Sequence, residues 1–228
     1  MDFNQMDFNA FIEESGVYGF FKEPITLKSG RKSQFYANWR TVVEDVFLTD
    51  ALADFVIAFA KSRGIEADTF YGVPDGATKL GIITQYKWAK ESAKYGEGSH
   101  VLAMGRKTPK EHGDPKDKYF LGMPAGKVAV IEDVTTTGGS LLKALEGLKE
   151  AGVDITAVIS LTNRMEKRDD GLSVQEAVEK AGFSFFNMST SLALLPVMYK
   201  RLSPGEDIAE GIENEFKEYG VEELQLTK

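Results

Sequence analysis

The sequence predicts an α/β protein, a central parallel sheet with helices on both of its faces. Three observations carry that prediction. Strand-like and helix-like stretches alternate through the middle of the 228 residues, and parallel strands need a long crossover between them, usually a helix. The stretch KVAVIEDV, 127–134, is a continuous apolar run, as expected of a strand covered on both sides. No linker long or flexible enough to divide the chain is visible. The whole of 1–228 therefore reads as one domain, with an N-terminal arm (1–45), an α/β core (46–190) and a C-terminal helical extension (191–228).

Taken in order, the opening MDFNQMDFN repeats itself and is given no structural weight. From Phe8, the spacing of Phe8, Phe11 and Ile12 predicts a short helix ending near Gly16. Residues 25–40, ITLKSGRKSQFYANWR, join β-type residues through a Lys-Ser-Gly-Arg turn and predict a strand pair or extended arm. Phe47, Leu48, Ala51, Leu52, Phe55, Val56 and Phe59 recur at helical spacing, with a stop at Gly64. A strand DTFYGV (68–73), a helix over 77–95 and a strand HVLAMG (100–105) follow. The polar stretch 106–118 has no period and predicts a long loop. After the strand at 127–134, Leu141, Leu142, Leu145 and Leu148 mark a helix that stops at Gly152. A strand ITAVISLT (155–162), a helix near 173–181, a strand FSFFNMS (183–189) and a helix from 191 complete the body. Beyond Pro204 the chain is charged, but Ile208, Ile212 and Phe216 form a stripe able to dock it.

Composition narrows the function. Lys and Arg number 27 against 35 Asp and Glu, a formal charge of −8, which counts against nucleic acid as the main partner. Cysteine is absent, so disulfides, zinc–thiolate sites and a cysteine nucleophile are excluded. The acidic start lacks the basic and apolar regions of a secretory signal. No apolar stretch approaches the roughly 20 residues that span a bilayer. A soluble, cytoplasmic protein that does not engage membranes is expected.

The chemistry concentrates in VAVIEDVTTTGGS, 128–140, where an apolar strand ends in Glu132-Asp133 and passes through hydroxyls and two glycines into a helix. Such a loop lies beyond the carboxyl end of a parallel strand, where open α/β sheets bind ligands. Adjacent Gly138 and Gly139 let successive N–H groups converge on one anion, and the helix start near Ser140 favours a phosphate. The hydroxyls of Thr136, Thr137 and Ser140 add donors. Glu132 and Asp133 repel an anion and need a neutral or cationic target: vicinal hydroxyls, with or without Mg²⁺, fit. A phosphate loop beside two such carboxylates describes a ribose 5-phosphate clamp. Neither a Walker loop nor a G-x-G-x-x-G after a strand is present. The plainer alternative is a strand ending in two acids before a capping Thr/Ser cluster.

This stretch resembles the phosphoribosyl pyrophosphate (PRPP) signature of the type I phosphoribosyltransferases. The resemblance implies that family's fold, with a small hood formed by the N-terminal segment. It also implies PRPP contacts from Glu132, Asp133, Thr135, Thr136, Thr137, Gly138, Gly139 and Ser140, with Mg²⁺ carried by PRPP and no metal ligand firmly assigned to the protein. Two further segments are similar to the orotate phosphoribosyltransferases. GRKTPKEHGDPK, 105–116, places Arg106, Lys107, Lys110 and His112 between glycines. Cations there can stabilise charge growing on departing pyrophosphate, and a loop with glycine ends can close over substrate. In that family the loop serves the neighbouring subunit's site, which implies a homodimer, PRPP contacts from these four residues, and catalytic roles for them and Asp133. His100, at an expected strand start, reads as structural.

TLKSGRKS, 26–33, is similar to the family's N-terminal orotate segment, which places Lys28 near pyrophosphate and the orotate carboxylate and Tyr36 with Ala37 at the base. This chain departs from the family at Gln34, where proline is common, and at Ala37, which removes one aromatic ring. Arg164, in SLTNRME, matches an arginine facing the base, with Asn163 where Asp is common, and Thr136 is a further base contact. YGVPDGATKLG, 71–81, stands at the pyrophosphate loop with Asp75-Gly76 in place of the usual lysine, and Lys79 follows one turn later. The reaction implied transfers ribose 5-phosphate from PRPP to orotate, giving orotidine 5′-phosphate and pyrophosphate in pyrimidine biosynthesis. The alternatives are a phosphoribosyltransferase for uracil or a purine, and a PRPP-binding regulator without catalysis.

Overall fold

The computed structural model describes residues 2–106, 108, 110–112 and 119–227. Four parallel strands form the central sheet: β3 (Thr69–Gly72), β6 (Lys127–Thr135), β7 (Asp154–Asn163) and β8 (Phe185–Thr190), in that spatial order. Two helices follow the strands on one face, α4 (Gly139–Glu150) and α5 (Val174–Lys180), and bury Leu141, Leu145, Leu148, Val174 and Val178 against Val128, Val130 and Val158. On the other face Ala129, Ile131, Ile159 and Leu161 meet α2 (Val46–Ser62), α3 (Thr78–Glu91), α6 (Ser191–Leu202) and α7 (Glu206–Tyr219). Alternate residues of one strand thus feed opposite cores, and the expected doubly covered parallel sheet is present.

The arm before the core is more structured than its sequence suggested. α1 (Gln5–Glu14) starts earlier than expected because Asn4 in the repeated opening caps it, accepting from the N–H groups of Met6 and Asp7. Phe3 packs edge-on against Phe59, so that repeat does have a structural role. β1 (Tyr18–Thr26) and β2 (Lys32–Ala37) pair antiparallel, with an irregularity between Phe20 and Ile25. Gln34 spans it, its amide donating to the carbonyls of Phe21 and Lys22, and it lies over Gly211 of α7, where any Cβ would collide with it. Proline at this position would lack the side-chain donor that Gln34 uses here.

Four expectations need correction. HVLAMG does not join the sheet: only β4 (Met104–Gly105) is extended, and it pairs antiparallel with β5 (Phe120–Leu121). Gln85 of α3 takes up the Val101 carbonyl instead, at 2.8 Å. His100 consequently sits in a turn, its ring nitrogen 2.7 Å from the Ser99 hydroxyl. α3 ends at Glu91 rather than near 95. Phe47, counted in the α2 stripe, is 79% exposed in the first turn of that helix, while Leu52, Val56 and Phe59 are buried. The docking stripe of α7 is as expected: Ile208, Ile212 and Phe216 are buried. Among the described residues no helix is long and apolar enough to cross a membrane.

Candidate active site

β6 carries the acid pair to the carboxyl edge of the sheet. Neighbours on a strand face opposite sides, so Glu132 and Asp133 leave β6 in different directions. Glu132 is buried and its Oε2 has no hydrogen-bond partner among the described residues. Burial, then the neighbouring Asp133 charge, pushes its carboxyl well above the ordinary range, against the pull of Lys28. Burial raises the Asp133 carboxyl as well, opposed by the Val134 N–H and by the charges of Arg40 and Lys28. A buried acceptor without a donor costs stability until a hydroxyl or a hard cation meets it. Gly76 closes in on Asp133 from the 73–77 turn, where any Cβ would collide with the Asp133 carboxylate.

The loop after the acids is shorter than expected. Thr135 is a strand residue, paired with Asn163 of β7, and its buried hydroxyl lies 3.3 Å from that of Ser160. Its expected place in the anion loop is therefore corrected, because sheet pairing continues one residue further. Gly138 takes φ 68° and precedes α4, which has no side-chain cap. Asn4, Asp45, Ser173 and Thr190, by contrast, cap their own helices with side-chain oxygens. The first-turn N–H groups of α4 are left for water or an anion, at the positive end of the helix dipole. Gly139 is exposed and a Cβ would meet nothing within 4 Å, so only Gly138 is required by the backbone. Thr136, Thr137 and Ser140 are half-buried around this point.

Lys28 arrives from the turn between β1 and β2. Its Nζ donates to Ser140 Oγ at 2.6 Å, across 112 residues of sequence. Two motifs far apart in the chain are thus joined into one cationic, amide-rich mouth beside the acid pair. Arg168 supports the loop from behind, donating to the Thr137 carbonyl at 2.5 Å.

Arg164 departs from its expected role. It follows β7, 1% exposed, with Nε donating to Glu166 Oε1 and Nη2 to Glu215 Oε1, each at 2.6 Å. Nη2 also donates to Ser33 Oγ at 3.0 Å and Nη1 to the Phe35 carbonyl at 3.3 Å, with the guanidinium over the Phe35 ring at 3.8 Å. Four of the five donors of a guanidinium are committed, which leaves at most one for a ligand. The physical reason is the burial of Glu166 and Glu215, which require a cation. Ala37 is also corrected: it is 2% exposed and belongs to the core, on the opposite face of β2 from half-buried Tyr36. Lys79 donates to the Val43 carbonyl at 3.2 Å.

In the predicted catalytic loop, Arg106 is half-buried, its N–H bonded to the Tyr119 carbonyl, and Lys110 and His112 are exposed. Lys107 lies outside the described residues, as do 109 and 113–118. Among the described residues no group of three or more His, Cys, Asp or Glu could hold a metal ion. Sequence reasoning missed Arg40, whose charge acts on Asp133, and the buried partners Glu166 and Glu215. Arg40 ends the 25–40 stretch and could have been noticed there, whereas nothing local links Glu215 to Arg164.

The parallel sheet, the hairpin over its carboxyl edge and the loop into α4 are the fold of a type I phosphoribosyltransferase. Its structural relatives include the orotate phosphoribosyltransferase of Francisella tularensis, with a TM-score of 0.66 and 21% identity, covering 94% of this chain and 99% of that one. The UMP synthase of Leishmania donovani has a TM-score of 0.67 and 19% identity, covering 92% of this chain and 42% of that one. No protein-family model matches. In sequence, the chain is 36% identical over 176 residues to the orotate phosphoribosyltransferase of Bradyrhizobium sp. strain ORS 278, covering 73% of this chain and 85% of the relative. It is 30% identical over 174 residues to that of Pyrococcus furiosus, covering 76% and 85%. The chain belongs to the orotate phosphoribosyltransferase family, as its motifs implied.

Proposed function

We propose that this chain transfers ribose 5-phosphate from PRPP to orotate, yielding orotidine 5′-phosphate and pyrophosphate for pyrimidine biosynthesis. The observation that carries the reading is the meeting of Lys28 with Ser140 beside a buried, unsatisfied Glu132. In this reading the uncapped first turn of α4, with Thr136, Thr137, Gly138, Gly139 and Ser140, takes the 5-phosphate. Glu132 Oε2 accepts from a ribose hydroxyl, which removes its burial cost on binding. Glu132 and Asp133 also place negative charge near the anomeric carbon, where positive charge grows as the C–O bond to pyrophosphate breaks. Mg²⁺, bound to PRPP, neutralises pyrophosphate when present, and the hard oxygens of Glu132 and Asp133 suit such an ion.

Arg106, Lys107 and Lys110 supply cations, and His112 an N–H donor, toward the departing pyrophosphate, from the loop of one copy into the site of another. The homodimer this requires is supported by exposed apolar side chains at the start of α2 (Val46, Phe47), on α3 (Tyr86), just before β4 (Leu102) and on β5 (Leu121). A cytoplasmic location is part of the same proposal. With Arg164 committed to Glu166 and Glu215, Lys28 is the remaining cation assigned to the orotate carboxylate. That commitment also favours a second reading, a different base acceptor. The test is PRPP- and Mg²⁺-dependent loss of orotate followed by absorbance, with uracil, hypoxanthine and adenine in parallel. Turnover of orotate alone is expected. Turnover of another base would replace the acceptor, and PRPP binding without any turnover would make the protein a regulator.

A further inference from the structure

Arg31 stands in the same motif as Lys28, and the proposed chemistry gives it no role. The turn between them is closed by the Leu27 N–H on the Arg31 carbonyl at 2.8 Å and the Gly30 N–H on the Leu27 carbonyl at 2.9 Å. The Arg31 guanidinium then forks. Nη1 donates to Glu166 Oε2 at 3.0 Å and Nη2 to Asp169 Oδ1 at 2.9 Å, and its face lies 4.3 Å from the Tyr219 ring centre. The side chain is 8% exposed and that of Glu166 is fully buried. Lys28, by contrast, is exposed at the tip of a turn, on a flexible four-carbon stem. Its reach to Ser140 depends on where the turn is held, and Arg31 ties that turn to the segment after β7.

We propose that Arg31 is a positioning residue: by gripping Glu166 and Asp169 it fixes the 27–31 turn against the segment after β7 and holds Lys28 over the anion loop. The assignment rests on the proposed function in taking PRPP as that loop's ligand. Calorimetric titration of PRPP into wild type, Arg31→Gln, Lys28→Ala and the double variant tests it. Arg31→Gln is expected to weaken binding about tenfold, and the double variant to bind no more weakly than Lys28→Ala, since coupled residues do not add. Losses that multiply in the double variant would give Arg31 an effect independent of Lys28, and unchanged binding in Arg31→Gln would give it none. Either result overturns the assignment. Arg31→Lys, which keeps the charge but loses the fork, replaces Arg31→Gln if the latter does not fold and is expected to fall between it and wild type. Failure of the proposed function shows separately, as wild-type protein that binds PRPP yet consumes no orotate.

Discussion

Glu215→Gln separates charge from shape in the buried cluster under the hairpin. Burial, helped by the Glu166 charge, pushes the Glu215 carboxyl from its ordinary value of 4.5 up to about 7, although Arg164 and the Ser33 hydroxyl pull the other way. Between those values the folded chain keeps a proton that the unfolded chain has released. Stability contributed by this group is therefore fully present below pH 4.5 and is lost as pH rises to about 7. At about 1.4 kcal/mol per unit, the whole window is worth roughly 3 kcal/mol and the part above pH 5.5 about 2 kcal/mol. The amide of the variant cannot titrate. Urea unfolding of both proteins at about pH 5.5, 6.5, 7.5 and 8.5 should show wild type losing about 2 kcal/mol relative to the variant, then running parallel to it. Glu132 and Asp133 titrate in both proteins and cancel in the difference. A difference that stays constant, or that grows in favour of wild type with rising pH, would refute the reasoning. The latter would mean that Arg164 outweighs burial and holds the carboxylate ionised.

Two further outcomes follow from the acid pair. Glu132→Gln removes a buried carboxyl whose Oε2 has no hydrogen-bond partner among the described residues and whose ionised form is disfavoured by burial and by the neighbouring Asp133 charge. It should raise the unfolding free energy at about pH 8 by about 1 kcal/mol while lowering kcat/KM for PRPP on the order of a hundredfold, read by urea melts and steady-state kinetics. Gly76→Ala drives a methyl group onto the Asp133 carboxylate. Because that carboxylate can swing aside, the melt should change little, yet turnover should fall by at least about tenfold through its displacement; unchanged turnover would remove Asp133 from the reaction.

Much of this was legible locally. Strand, acid pair, hydroxyl-glycine loop and helix follow one another in sequence, so VAVIEDVTTTGGS announced both the element order and the site. The Ser173–Glu176 capping box and the Leu141, Leu145, Leu148 stripe set α5 and α4 in the same way. What stayed hidden depends on partners distant in the chain. HVLAMG has the composition of a sheet strand, and its exclusion rests on Gln85 capturing the Val101 carbonyl. The match of SLTNRME assigns Arg164 to the base, and Glu215, 51 residues away, leaves no local trace that would have shown its buried partner. Thr135 was misplaced by a single residue, the distance β6 continues to pair with β7.

The Arg164–Glu215 pair also ties together parts of the chain made at different times. Ser33, in β2, and Arg164, after β7, both donate to Glu215 on α7. A nascent chain can pair all four strands of its sheet before Glu206–Tyr219 leaves the ribosome, but until then Arg164 lacks one of its two carboxylates. The buried cluster under the hairpin is thus complete only with α7, which supplies Glu215.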